Sequence, residues 1–245
     1  MRSLAAEVSK LASLRSTWVM ALCAMVVPAL VSWLNASALR RDLARGEQVS
    51  GAGLSELLLA AAAAAAVGVL MASTEYRSVP EELGGGRQSV TSALAVPSRL
   101  QTQLAKTVVA VGALTAVASV ATYGSLRVTH QALGPYAPEA VGWGTGPWGV
   151  GYVVLTGLLG LVVTMVLRNG LVPLVYLVTS STVVSPGYLL TRLGRWAWYL
   201  PDTSAMNLLG GFPEAPSRWV STLVGLGWIG LLWVVAAVLE SRRPA

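Results

Sequence analysis

The chain has 245 residues, 54% of them hydrophobic and 11% charged, with a formal net charge of +6 and a mean hydropathy of +0.63. Soluble domains carry about 25% charged residues, so an ordinary soluble fold is excluded. The basic excess does not point to nucleic acid either, because the arginines are scattered at the ends of apolar blocks and not gathered on one phosphate-tracking face. Those apolar blocks run to about 20 residues, the length that crosses a bilayer core of ~30 Å as a helix.

Residues 1–16 read as an amphipathic helix. Leu4, Val8, Leu11 and Ala12 recur at helical spacing, with Glu7, Ser9, Lys10, Ser13 and Arg15 on the other side. Such a helix lies flat in a membrane interface. Residues 17–34 form a first span, with Trp18 and Trp33 near its ends like an aromatic belt. Ala36-Ser37-Ala38 imitates a signal-peptidase site, but the leader is long and polar and the apolar run has span length, so the reading is a retained span. Cys23, the one cysteine, lies within this run as a small packing residue and leaves no intrachain disulfide or cysteine metal cluster to form.

Residues 40–55 read as a polar loop and 57–72 as a second span containing the alanines 60–66. Small residues allow helix backbones to approach closely in lipid, and the run suits either unspecific packing or a dimer face. Glu56 falls at the start of this helix, where its charge suits the dipole as a hydrated cap. Residues 73–106 then form a polar island that sets Arg77, Arg87, Arg99 and Lys106 against Glu75, Glu81 and Glu82.

A third span covers 107–126, followed by a loop to Pro147 rich in Gly and Pro. His130, with no Asp, Glu or Cys at ligand spacing, reads as a solvated loop residue. Residues 148–167 make a fourth span, Arg168-Asn169-Gly170 a tight turn, and 171–184 a shorter fifth span. Residues 185–218 are too polar to span yet carry Trp196, Trp198, Tyr199 and Phe212. They predict short interfacial helices at 189–199 and 203–209, broken at Pro201. The sixth span is 219–239, ahead of a charged tail.

Six spans put both termini on one side. Ten of the 17 Lys and Arg residues then share the termini's side and seven lie opposite, so the positive-inside rule predicts cytoplasmic termini, a cytoplasmic central loop and an external 185–218 segment. Arg40, Arg41 and Arg45 pull against this orientation. The spans are almost free of ionisable groups, which normally mark ion and proton pathways, and the chain has no phosphate-binding loop of the Gly-x-x-x-x-Gly-Lys-Ser/Thr type. Neither a metalloprotease nor a serine-hydrolase signature occurs. The expectation is an all-α membrane protein of 1–245 as one domain, with no catalytic residue, no metal and no cofactor of its own. Its energy source is supplied by a partner.

Glu75-Tyr76-Arg77 at the exit of the second span, then Thr91-x-x-Leu94-x-x-Pro97-x-Arg99 and Lys106 entering the third, resemble the permease subunits of type-2 ABC exporters of bacteria. The resemblance extends to the N-terminal Glu7-x-x-Lys10-Leu11 stretch through Arg15 to Trp18, to Leu167-Arg168-Asn169, and to Tyr199-Leu200-Pro201. It implies a multi-pass permease of the bacterial plasma membrane, paired with a second copy or a sister permease. A separate ABC ATP-binding subunit would bind the ATP. It also implies a coupling helix at about residues 89–97, with Glu75, Arg77, Thr91, Leu94, Pro97 and Arg99 at the contact. An interface helix at 4–15 would carry Glu7, Lys10 and Arg15. The chain departs from the family in its acidic, glycine-rich insertion at 79–86. The scarcity of charge in the spans favours an apolar or amphipathic cargo such as a drug, antibiotic, peptide or lipid, moved by alternating access.

Two other classes compete. One is a non-transporting immunity or sensor protein that binds a peptide at its external Trp/Tyr-rich segment. The other is a membrane enzyme, for which Asp202, Glu214, Arg192 and Arg195 are the external candidates.

Overall fold

A computed structural model describes residues 2–46, 52–76, 78–79, 86–87, 99–137, 141–182 and 185–242. The described chain is a helical bundle. Helix α1 (Arg2–Ser13) is followed by α2 (Arg15–Ala44), α3 (Leu57–Ser73), α4 (Arg99–Leu133), α5 (Gly146–Leu167) and α6 (Leu171–Thr182). Two short helices, α7 (Pro186–Thr191) and α8 (Pro201–Met206), precede the last long one, α9 (Arg218–Arg242). The only strand pairing among the described residues is a two-residue antiparallel ladder, Ser78 with Arg87 and Val79 with Gly86. It brackets the glycine-rich insertion, whose last residue, Gly86, takes part in the ladder.

Four helical stretches, Arg15–Ala36, Leu100–Tyr136, Trp143–Leu167 and Arg218–Ser241, are long and apolar enough to cross a membrane. Leu57–Ser73 and Leu171–Thr182 are apolar but shorter, about 26 and 18 Å at the helical rise. The bundle has the build of an integral membrane protein. Trp18, Leu22, Leu30, Leu171 and Leu223 are all more than half exposed, along with many other large apolar side chains. A soluble monomer rarely exposes contiguous apolar patches beyond a few hundred Å².

The core is a seam between α3 and α5. Ala60, Ala61, Ala64 and Ala65 are fully buried, and Ala64 and Ala65 face Gly157 and Gly160 closely enough that a methyl at Gly160 would meet the Ala65 carbonyl oxygen at 2.6 Å. The alanine run therefore packs within the chain, and mainly its Ala62, Ala63 and Ala66 edge borders a surface groove. Two threonines of α5 satisfy their hydroxyls on the preceding turn, Thr156 to the Tyr152 carbonyl and Thr164 to that of Gly160, at 2.9 and 2.7 Å. In an apolar setting an unpaired hydroxyl is costly.

Residue pairings across the bundle give each helix its direction. Leu57 of α3 lies by Gly149 of α5, and Ala65 by Gly160, so these two run parallel. Gly146 and Gly157 of α5 lie by Tyr123 and Leu114 of α4, an antiparallel pair. The start of α2, the end of α3, the starts of α4 and α6 and the ends of α5 and α9 thus share one end of the bundle, with α1. The opposite end carries Arg40, Arg41, Glu56 and the 185–218 segment.

Several boundaries differ from expectation. Helix α2 runs to Ala44, through part of the expected polar loop and unbroken past Ala36, and α4 runs 35 residues from Arg99 to Leu133. Polar helix formers such as Arg, Gln and Lys continue a helix that an apolar run has started, and hydropathy sees only the apolar part. His130 consequently lies in the last turn of α4, half-buried, its ring 5.9 Å from that of Trp143. Glu56 begins α3 as expected but makes no side-chain cap there. It is 7% exposed and accepts hydrogen bonds from Asn35 at 3.3 Å and Ser55 at 3.0 Å, tying α2 to α3. Pro201 opens a helix, with its missing N–H harmless in the first turn.

Candidate functional site

The end of the bundle that holds α1 and the base of the central loop is built from short-range geometry. After α1 the chain breaks at Leu14, whose backbone is extended (φ −84°, ψ 95°). Trp18 donates from its indole nitrogen to the Ala12 carbonyl at 3.0 Å, pinning the corner. Helix α1 packs on α4 and α2, with Leu11 against the core. Glu7, 7% exposed, pairs with Lys10 at 2.9 Å. A pair one turn apart on a helix stabilises it by a few tenths of a kcal/mol when exposed, and burial of Glu7 makes its partner necessary.

The first turns of α4 face the same region. Gln103 is buried and Lys106 is only 2% exposed, although both are polar. The next hydroxyl, Thr107 Oγ1, accepts from Trp233 Nε1 of α9 at 3.1 Å. On the other side of this end, Tyr76 closes the 3-10 turn after α3 (Thr74–Tyr76), and the Arg168 guanidinium lies over its ring at 5.7 Å. Arg168 caps α5 in the left-handed region (φ 52°), a conformation that costs a non-glycine residue about 1 kcal/mol or more. Gly170 completes the turn, and a methyl there would meet Ser73 Cβ at 2.8 Å. Two segments picked out separately in the sequence, Glu75-Tyr76-Arg77 and Leu167-Arg168-Asn169, are thereby joined through one contact.

Of the six expected contact residues, Glu75 lies in the turn Thr74–Tyr76 and Arg99 opens α4. Arg77, Thr91, Leu94 and Pro97, with residues 89–97 as a whole, lie outside the described residues. Of the interface-helix residues, Glu7 and Lys10 are paired in α1, while Arg15 starts α2.

A groove of about 600 Å³ opens between α2, α3 and α6. Met20, Cys23, Val27, Ala63, Val175 and Thr179 are among its lining residues, and Cys23 and Thr179 supply its only side-chain heteroatoms apart from the Met20 sulfur. Cys23, expected as a packing residue, is half-buried and borders this space.

No family model matches this chain, and no curated protein matches it. Its own geometry carries the functional argument.

The 185–218 segment forms a dense cap at the opposite end. Ser185 N-caps α7, accepting from the Tyr188 amide at 3.1 Å, and its hydroxyl donates to Asp202 at 2.7 Å. The Gly187 amide donates to the same carboxylate oxygen at 2.9 Å, and Tyr176 of α6 lies within electrostatic reach of Asp202. Tyr188, Trp198 and Phe212 pack ring against ring at 5.3–6.2 Å between centroids. Asn207 donates to the Pro216 carbonyl and the Ser221 hydroxyl at 2.7 and 2.8 Å, fastening the cap to α9. Asp202 is thus turned inward as a tie, while Arg192, Arg195 and Glu214 are exposed. Among the described residues no ion pair joins these four.

The contact between Tyr76 and Arg168 invites a double-mutant cycle. A cation over an aromatic ring contributes about 0.5–1 kcal/mol at a partly exposed site, so Tyr76→Ala and Arg168→Ala are expected to be non-additive by that amount in unfolding free energy. Alanine keeps the same left-handed cost at residue 168, which isolates the ring contact. Strict additivity would mean that the two segments do not communicate through it.

Proposed function

We propose that the chain is the permease subunit of an ATP-driven exporter of the type-2 ABC class, acting as a dimer with a separate ATP-binding subunit. The observation that supports this reading is the linkage between the base of the central loop and the groove. Tyr76 closes the turn that follows α3 and Arg168 leads into α6, and both helices line the groove with α2. A push on the loop therefore reaches two of the three walls of an apolar space through a single joint. In this reading all six helices α2 to α6 and α9 cross the bilayer, α3 being lengthened by the Thr74–Tyr76 turn that follows it. Both termini and the central loop are cytoplasmic. Helix α1 and the first turn of α4 flank the seat of the ATPase.

The ATPase closes on ATP and moves the docked loop, and the two-state shift of the helices alternates access to the groove. The chain contributes differential affinity for cargo between the states, not bond chemistry. A groove lined mainly by methyl and methylene groups, with one thioether, one thiol and one hydroxyl, suits an apolar or amphipathic cargo.

The test is a pull-down of the tagged chain from mild detergent, with the partner identified and assayed for ATPase activity. A stoichiometric ATP-binding subunit is expected, and replacement of residues 89–97 by a Gly/Ser linker should release it without loss of membrane insertion. A homo-oligomer without ATPase would overturn the permease reading. It would favour the sensor or immunity reading instead, for which the exposed Leu189, Leu193, Trp196 and Tyr199 on the cap offer a peptide-binding surface.

A further inference from the structure

Helices α2 and α4 run side by side in the same direction, and the groove between them changes character along its length. Toward the end that carries the cap it is lined by Trp33, Arg40, Arg41, Ala132 and Tyr136 and encloses about 690 Å³. Through the shared Trp33 and Ala132 it continues as a mainly apolar trough of about 650 Å³ along Met25, Leu30, Val120 and Val128, with Gln131 also in its lining. We infer that this groove holds one anionic phospholipid of the surrounding bilayer, its phosphate at Arg40 and Arg41 and an acyl chain along the trough.

Charge, length and direction support that occupant. Arg40 and Arg41 are exposed, and neither makes an ion pair among the described residues. The neighbouring Asp42 is spoken for, 3.7 Å from Arg45. Met25 and Arg40 are fifteen residues apart on one helix, or about 22 Å at the helical rise. That is half of the ~40–45 Å of a bilayer with its headgroups, the reach of one lipid from midplane to phosphate. Side chains on a helix lean toward its N-terminus, so the two arginines lean back from beyond Trp33 toward the phosphate layer. Trp33, more than half exposed, stands at the depth where tryptophan meets headgroups.

A second copy fits the same groove poorly. A two-fold interface about the membrane normal sets residues of equal depth opposite one another, and the arginine pairs of the two copies would then face each other. A free phosphate would leave the trough unused. The inference also gives a reason for Arg40 and Arg41, two of the three arginines that oppose the positive-inside count. They hold a lipid anion and so have a role apart from orienting the chain.

The experiment reconstitutes the protein in nanodiscs of phosphatidylcholine with phosphatidylglycerol, extracts it in mild detergent, and counts retained lipid by native mass spectrometry. Preferential retention of phosphatidylglycerol is expected. At about fivefold per arginine near a membrane surface, the double variant Arg40→Gln/Arg41→Gln should lower that preference by about 25-fold, while Arg45→Gln leaves it unchanged. Ala132→Trp, which fills the trough with both charges intact, should lower retention of either lipid. The inference is overturned by an unchanged preference in the double variant, by an equal loss in Arg45→Gln, or by full retention in Ala132→Trp. It rests on the membrane-spanning build alone, so the absence of an ATPase partner would leave it standing.

Discussion

Gly68→Val is expected to lower recovery of folded protein sharply, whereas Gly112→Ala is expected to leave it intact. A methyl at Gly68 would overlap the Gly157 carbonyl oxygen and stand 2.9 Å from the Leu161 amide nitrogen. Both are backbone atoms of α5, so no side chain can swing aside, and α3 must move bodily away from its partner. In lipid the hydrophobic effect does not hold helices together, and close backbone packing of small residues does much of that work. Separation at Gly68 would open the seam at Ala64 and Ala65 as well, both fully buried against Gly157 and Gly160. Overpacking a tight core costs about 1–3 kcal/mol and occasionally more, and the two added methyls of valine beyond the first place this site at the upper end. That is a large part of a marginal stability of ~5–15 kcal/mol. Gly112, on α4, has nothing within 4 Å of an added methyl, and alanine there improves helix propensity by about 0.5–1 kcal/mol. The readout is the monodisperse fraction after detergent extraction together with the thermal midpoint. Equal behaviour of the two variants would mean that the seam does not hold the bundle.

The contrast between these glycines marks where sequence reasoning stops. Apolar blocks of span length around residues 17–34, 107–126, 148–167 and 219–239 are visible in composition, and each corresponds to a long apolar helix, because burial in lipid is a property of single residues. The partner of a small-residue stripe is not visible. Ala60–Ala66 reads equally as a face for another copy or for another helix of the same chain, and only the spacing of Gly157 and Gly160 opposite decides it. Polar extensions are lost for a related reason: nothing in hydropathy marks 99–106 or 127–133 as helical, since their amphipathic turns average out to loop values. At the candidate site Tyr76 and Arg168 are each conspicuous beside an apolar run, yet their contact depends on α3 and α5 running parallel. Glu56 was legible as a helix start, but its bond to Asn35 depends on the packing of α2 on α3 and leaves no trace in the local sequence.

Loss of the Asp202 carboxylate is expected to loosen the whole cap without dissolving the bundle. One carboxylate gathers the Ser185 hydroxyl and the Gly187 amide, and so holds the start of α7 to α8. Hydrogen bonds to a charged acceptor contribute about 1.5–3 kcal/mol each, and Asp202→Ala strands partly buried donors that had no other acceptor. A local loss of about 3 kcal/mol corresponds to roughly a hundredfold rise in the open population of the segment. The bundle itself is spared because α3, α5 and the first turns of α4 have no contact with this carboxylate. Trypsin provides the measurement, since Arg192 and Arg195 lie on the exposed side of the cap and cleavage of a structured segment follows its opening. The variant is expected to be cut there up to a hundredfold faster while the helices remain protected. Asp202→Asn should fall between, keeping one acceptor oxygen of the same reach but not the charge. Gly187→Ala should reproduce part of the effect from the other partner, because a methyl at that position would collide with the Asp202 carboxylate. An unchanged cleavage rate in Asp202→Ala would show that the aromatic packing of Tyr188, Trp198 and Phe212 holds the cap by itself, and would make the carboxylate free for a role in recognition.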